Sequence, residues 1–240
     1  DSGRLFYFYH DEDDPLKMDW LINLIDHFFN FENKNSIEVP NQKNDFVDLT
    51  SFSKVDHPLI KIFQNDFNLY TFPDFGIFIW RNNDGSEYFS VRCGQIGQNG
   101  VGGHAHYDQL SIECFTEGKW IARDPGTGTY TDDIKTRNEF RSMKFHWGPN
   151  ADIKFPKESE FDCFKLNYME DGKLLFLDKN NFLGSAVFNG NKIYRKIVIE
   201  NGNILISDFS NDTNLNPYEN WGELNEGVKF KFSKGYKRIN

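Results

Sequence analysis

Two periodicities divide the chain. Near its start, Leu16, Trp20, Leu21, Leu24, Ile25 and Phe28 recur at the three- and four-residue spacing of one helix face. Asp14 followed by Pro15 supplies an N-cap and a first-turn proline, and Asp11, Glu12 and Asp13 add negative charge at the positive end of the helix dipole. The pattern predicts a helix through Phe31. Residues 32–56 are polar, rich in asparagine and lysine, and read as loop; residues 58–63 read as a short apolar element.

From Phe72 onward the repeat shortens to two. Residues 76–81 and 87–93 read as strands around the turn Asn82-Asn83-Asp84-Gly85. Residues 109–116 and 119–123 pair across Glu117-Gly118. Residues 183–188 and 192–199 flank Asn189-Gly190, and Asn201-Gly202 leads into a strand over 203–209. Asn-Gly and Asp-Gly between alternating apolar runs signal hairpins, because the tight turn needs residues that tolerate positive φ. One more strand is expected over 228–232. The expected fold is mainly β: an antiparallel β-sandwich over residues 71–240, behind a helical tail and linker over 1–70.

Composition refines this reading. The 240 residues are 38% hydrophobic and 26% charged, a globular balance with enough chain for a substantial core. The 25 phenylalanines will fill much of that core. A net charge of −9 weighs against general binding to nucleic acid or to an anionic membrane, yet leaves room for a local basic cleft. No apolar run is long enough to cross a bilayer; the best, residues 20–31, is broken by Asn23, Asp26 and His27. Cys93, Cys114 and Cys163 form no CxxC pair and read as buried small hydrophobes rather than a disulfide framework. A start at Asp1 rather than Met suits a piece of a longer protein.

The chemistry is concentrated in residues 97–111, which hold two of the six histidines, Asp108 and four glycines. If this stretch is extended, His104, His106 and Asp108 share one face, where two imidazoles can reach one ion or one substrate. Zinc suits imidazole nitrogen with carboxylate oxygen and commonly keeps a fourth position open. The plain alternative is a glycine-rich surface loop that carries two histidines. Asp124 ends a strand just before Pro125-Gly126, at a sheet rim, and His146 lies between Phe145 and Trp147, where a hydrogen-bonded core histidine is the plain alternative. These three places are expected to meet and bind a metal. Cupin barrels also carry a His-x-His pair, but with a glutamate three or four residues later; here the first one after His106 is Glu113.

Three ordered motifs, residues 102–111, 124–130 and 137–146, resemble the β-sandwich domain of the heparinase II/III-like family. Asp1-Ser2-Gly3-Arg4 is similar to a segment near the end of that family's helical domain. The resemblance is sharpest over residues 94–146. It implies a bacterial polysaccharide lyase in which an α/α toroid of the same polypeptide forms one wall of a cleft and an antiparallel β-sandwich the other. It also implies a zinc ion held by His106, Asp124 and His146, with His104 facing substrate and Tyr130 near the cleft as the candidate catalytic residues. The substrate would be an anionic, uronate-containing polysaccharide cleaved by β-elimination, in the periplasm or outside the cell. The toroid would supply the tyrosine base, so this chain alone is expected to be inactive.

The sequence departs from the family pattern in three places. Trp147-Gly148 stands where Asn-Thr is common, Gly128 looks inserted, and Trp221 lies where a histidine is often seen. Arg123, Arg137 and Arg141 could meet an anionic sugar, or serve structural pairing. Two other readings stay open: a non-catalytic carbohydrate-binding or scaffolding domain, and a cupin-type metalloenzyme.

Overall fold

The computed structural model describes residues 47–63, 66–155, 162–219 and 221. The helix expected over residues 16–31 and the strand over 228–232 lie outside them. The described residues form eleven strands: β1 (Ser53–Asp56), β2 (Ile60–Lys61), β3 (Phe67–Phe72), β4 (Ile77–Asn82), β5 (Tyr88–Arg92), β6 (Ile112–Thr116), β7 (Lys119–Ala122), β8 (Lys173–Leu177), β9 (Asn181–Phe188), β10 (Asn191–Glu200) and β11 (Asn203–Ser210). One helix among them, α1 (Ile134–Phe140), stands between β7 and β8.

Turn chemistry sets the meander. Glu117-Gly118, Asn189-Gly190 and Asn201-Gly202 each have positive φ at both positions, from 46° to 78°. Each therefore closes a two-residue hairpin whose twist matches the flanking strands. The first sheet runs β3-β4-β5-β6-β7, and the second runs β1-β11-β10-β9-β8 with β2 also on β11. All described pairings are antiparallel.

Period-2 alternation then buries one face of each sheet. In β4, Phe78, Trp80 and Asn82 are buried while Ile77, Ile79 and Arg81 are half-buried. In β11, Ile204 and Ile206 are buried and Leu205 is 41% exposed. Phe78 of the first sheet meets Phe182 of the second at 5.8 Å between ring centroids. One core joins them, with Trp80, Phe89, Val91 and Ile112 from one side and Ile193, Ile197, Ile204 and Ile206 from the other. Each such side chain contributes about 1.5–3 kcal/mol by leaving water. Two separate stacked sheets, rather than one closed barrel, set the cupin reading aside.

The polar stretch read as loop over residues 32–56 contains β1, and β3 begins at Phe67, before residue 71, so the paired strands begin earlier than the pattern suggests. β1 is an edge strand with mostly exposed side chains, made by backbone pairing of Ser53–Asp56 with β11. Its sequence carries no apolar alternation to betray it. β8 escaped notice because a bulge between Leu174 and Phe176 breaks its register. α1 spans seven residues, too few for a clear helical period, although Asp133 caps it by accepting from the Thr136 N–H at 3.0 Å. Among the described residues no helix is long and apolar enough to cross a membrane.

Candidate metal centre

The stretch 97–111 is not extended. A 3-10 turn at Gln98–Gly100 opens it, and positive φ recurs at Gln98, Asn99, Gly100, Gly102 and Leu110. The alternation expected to align His104, His106 and Asp108 is therefore absent: His104 is exposed, while His106 is 4% exposed. Glycine makes this coiling possible. A Cβ at Gly103 would lie 2.6 Å from Gln98 Oε1 and 2.9 Å from the Phe164 carbonyl oxygen, so only a bare backbone fits. Gln109 anchors the exit of the loop with its amide, accepting from Gly94 N–H at 3.1 Å and donating to Gly94 O at 2.5 Å. Tyr107 N–H donates to Arg141 O at 2.8 Å, which ties the loop to the end of α1.

Three segments converge on the buried His106. Asp124 follows the end of β7; its N–H donates to Glu113 Oε1 at 3.1 Å, and its Oδ1 accepts from Gly126 N–H at 2.8 Å. His146 follows the 3-10 turn Met143–Phe145. Its Nδ1 lies 3.1 Å from Asp124 Oδ2, near enough for an ion pair though not aligned as a hydrogen bond. The His106 and His146 ring centroids are 5.2 Å apart. One donor atom from each of His106, Asp124 and His146 lies within 4.8 Å of the other two. Asp108 is outside this group, and burial pushes its carboxyl upward.

The electrostatics set the two histidines apart. Burial drives the His106 pKa well below its ordinary value, and the neighbouring His146 charge adds to the effect. His106 is thus held neutral, the form that binds a metal. Burial also opposes charge on His146 and Asp124, but their mutual contact outweighs it, raising the imidazole and lowering the carboxyl. His106 Nε2 and His146 Nε2 are both buried without a hydrogen-bond partner. Such orphaned groups cost about 1–3 kcal/mol each unless something satisfies them. Two imidazoles and a carboxylate with an open fourth position suit zinc, so the residues present fit the ion that the resemblance implies.

A second cluster lies beside this one. The rings of His104 and Tyr130 meet edge to face at 5.9 Å, and His104 lies 6.2 Å from Phe164. The buried Arg137 guanidinium sits 4.6 Å from the Tyr130 ring centroid and 5.4 Å from that of Phe164. Its Nη2 donates to Gly103 O and its Nε to Cys163 O, both at 2.9 Å. Arg141 donates to the carbonyls of Asp162, Cys163 and Lys165 at 2.6–3.1 Å. Both arginines therefore hold backbone carbonyls and fasten the segment that presents Phe164. Arg123 lies over the Trp120 ring at 5.4 Å. Burial raises the Tyr130 pKa, while the Arg137 charge and a contact with Thr127 pull it back. Phe164 escaped the sequence reading because no motif surrounds it; the four arginine bonds that fix its neighbours are visible only in three dimensions.

With this geometry in view, the comparison with known families is decisive over one span. Residues 66–146 match the family model described as Heparinase II/III-like, C-terminal. The resemblance read from the three motifs is thereby confirmed for this part of the chain. No curated protein and no solved structure matches the chain. The heparinase-like span includes His104, His106, Asp124 and Tyr130, and it ends on His146. It covers β3 to β7 and α1, whereas the sheet containing β8 to β11 lies outside it.

Proposed function

We propose that the chain is the β-sandwich wall of a polysaccharide lyase, placed in the periplasm or outside the cell, that cleaves uronate-containing polysaccharide by β-elimination. In this reading His106, Asp124 and His146 hold zinc, and His104 and Tyr130 face the substrate. The observation that carries it is the coincidence, within the matched span, of two buried histidines and a half-buried aspartate in one group with an exposed histidine and a half-buried tyrosine in edge-to-face contact.

The reaction removes the proton at C5 of the uronate, forms the C4=C5 double bond and breaks the C4–O bond, whose oxygen leaves with a proton. It needs a base within hydrogen-bond reach and neutralisation of the adjoining carboxylate. His104 has an exposed ring able to donate to that carboxylate, and Tyr130 offers a phenol beside it. Burial raises the Tyr130 pKa, and the Arg137 guanidinium against its ring offsets part of that rise. Bound zinc would supply a fixed positive charge and hold the three segments together. In this reading the toroid of the full polypeptide supplies the main base, and the isolated chain is inactive.

The test uses the full-length parent on alginate, heparan-type and chondroitin-type polysaccharides, following unsaturated product by ultraviolet absorbance. His104→Ala is expected to cut the rate by about 10²–10⁴-fold, and Tyr130→Phe less. Inactivity on all three substrate classes would count against a lyase. The second reading, a carbohydrate-binding domain without catalysis, draws on Phe164, which is 43% exposed beside His104. Calorimetric binding of oligosaccharide by the full-length parent with no product would favour it.

A further inference from the structure

Arg195 lies on β10, in the sheet opposite the heparinase-like motifs, and is fully buried. Its side chain makes a two-pronged pair with Asp208 of β11, Nε to Oδ1 at 2.7 Å and Nη2 to Oδ2 at 2.8 Å. The remaining nitrogen, Nη1, points across the sandwich. It donates to Leu110 O at 2.6 Å and to Trp147 O at 2.8 Å. Leu110 lies four residues after His106, and Trp147 is the residue after His146.

Further bonds fix this strut from behind. His57 Nδ1 accepts from the Tyr218 N–H at 3.2 Å, so the ring proton sits on Nε2 and donates to Asp208 Oδ2 at 2.8 Å. The Tyr218 hydroxyl donates to Gly148 O at 2.7 Å. Three carbonyls around the two histidine segments, those of Leu110, Trp147 and Gly148, thus take bonds from one buried network. Leu110 itself holds φ at +62°, a conformation that an L-residue keeps only when its surroundings enforce it. Its N–H donates to Arg92 O at 2.6 Å, and Arg195 holds its carbonyl on the other side.

A buried Arg–Asp pair can often be replaced by apolar residues of similar volume without loss of stability. Apolar replacements could not bond two carbonyls from different segments. We infer that Arg195 is a positioning residue for the metal centre: one nitrogen clasps the segments that follow His106 and His146 and sets the separation of the two imidazoles. This inference rests on the zinc reading of His106, Asp124 and His146.

The experiment measures zinc affinity by chelator competition, and the visible spectrum of the cobalt-substituted chain, in wild type, Arg195→Lys and the double variant Arg195→Met/Asp208→Leu. The double variant removes both buried charges together and so guards against simple unfolding; circular dichroism checks its fold. Expected is a folded double variant with zinc affinity weakened about 10–100-fold, as for other residues that orient metal ligands, and an altered cobalt spectrum. Arg195→Lys should recover part of the loss. A folded double variant with wild-type affinity and an unchanged spectrum would overturn the role of Arg195 while leaving the metal site standing. Failure of the wild type to bind zinc or cobalt would overturn the metal reading, and the positioning role with it.

Discussion

Trp147 and Trp221 pack ring against ring, with centroids 5.3 Å apart and planes at 47°. Tyr218 completes the cluster, 5.1 Å from Trp147 and 4.8 Å from Trp221. The indole N–H of Trp221 donates to Pro58 O. Both tryptophans stand where the sequence was expected to leave the family pattern, and in space they are neighbours: the ring after His146 has a partner ring 74 residues further along the chain. Trp147→Asn should therefore destabilise. The expected cost is about 3–5 kcal/mol, as for other large-to-small core changes, or roughly 10 °C in Tm. Thermal unfolding followed by circular dichroism checks it; an unchanged Tm would mean that the cluster holds nothing together.

His106→Ala, Asp124→Ala and His146→Ala are each expected to abolish high-affinity zinc binding. Elemental analysis of the purified wild type after zinc supply should give about one ion per chain, as a single three-ligand site demands. His104→Ala should leave the zinc content intact, because His104 is exposed and outside the ligand group. Equal loss in His104→Ala and His106→Ala would sink the division between ligand and substrate-facing histidine.

Asp208 makes stability depend on acid. Burial would raise its pKa, but the Arg195 charge and the Arg195 and His57 hydrogen bonds outweigh that and bring it down to about 2, from an ordinary 3.8. A depressed carboxylate stabilises the fold fully above the ordinary value and loses that contribution as pH falls toward the folded one. The loss amounts to about 2 kcal/mol and falls between roughly pH 4 and pH 2. Denaturant unfolding from pH 5 to pH 2 should show it in wild type. Asp208→Asn should lack this segment of the curve, while being less stable at neutral pH by about 3–5 kcal/mol because Arg195 is left buried and unpaired. Parallel acid curves for the two proteins would refute the assignment.

Gly128, the residue that looked inserted, has φ +71°, and a Cβ there would lie 2.6 Å from the Phe140 ring. Gly128→Ala should cost about 1–2 kcal/mol from the left-handed backbone alone, with displacement of the Phe140 ring added. A Tm equal to wild type would show that the loop relaxes freely around it.

Legibility in the sequence followed the range of each interaction. The hairpins at Asn189-Gly190 and Asn201-Gly202 could be read because the turn residues and the flanking alternation are local. β1 could not, since its place is decided by backbone pairing of Ser53 with Ser210, far along the chain. At the site, His106, Asp124 and His146 were named through the order of the family's motifs, while the strand-like geometry expected around His106 was wrong. Its glycines permit positive φ, and the loop coils instead. Arg137, Arg195 and Phe164 carried no local signal of what they do. Apart from the Asp208 carboxylate that pairs with Arg195, their partners are carbonyl oxygens and ring faces, which no residue-type pattern encodes.

The three donors His106, Asp124 and His146 come from a coiled loop, a strand end and the segment after a short helix, and no two share one regular element. An unfolded chain therefore holds no two of these three donors close together. In the proposed metal reading, capture would wait until the β6–β7 hairpin and α1 have docked, so a tightly held ion would serve as a seal on completed folding, and its slow escape would time the reopening of the native state.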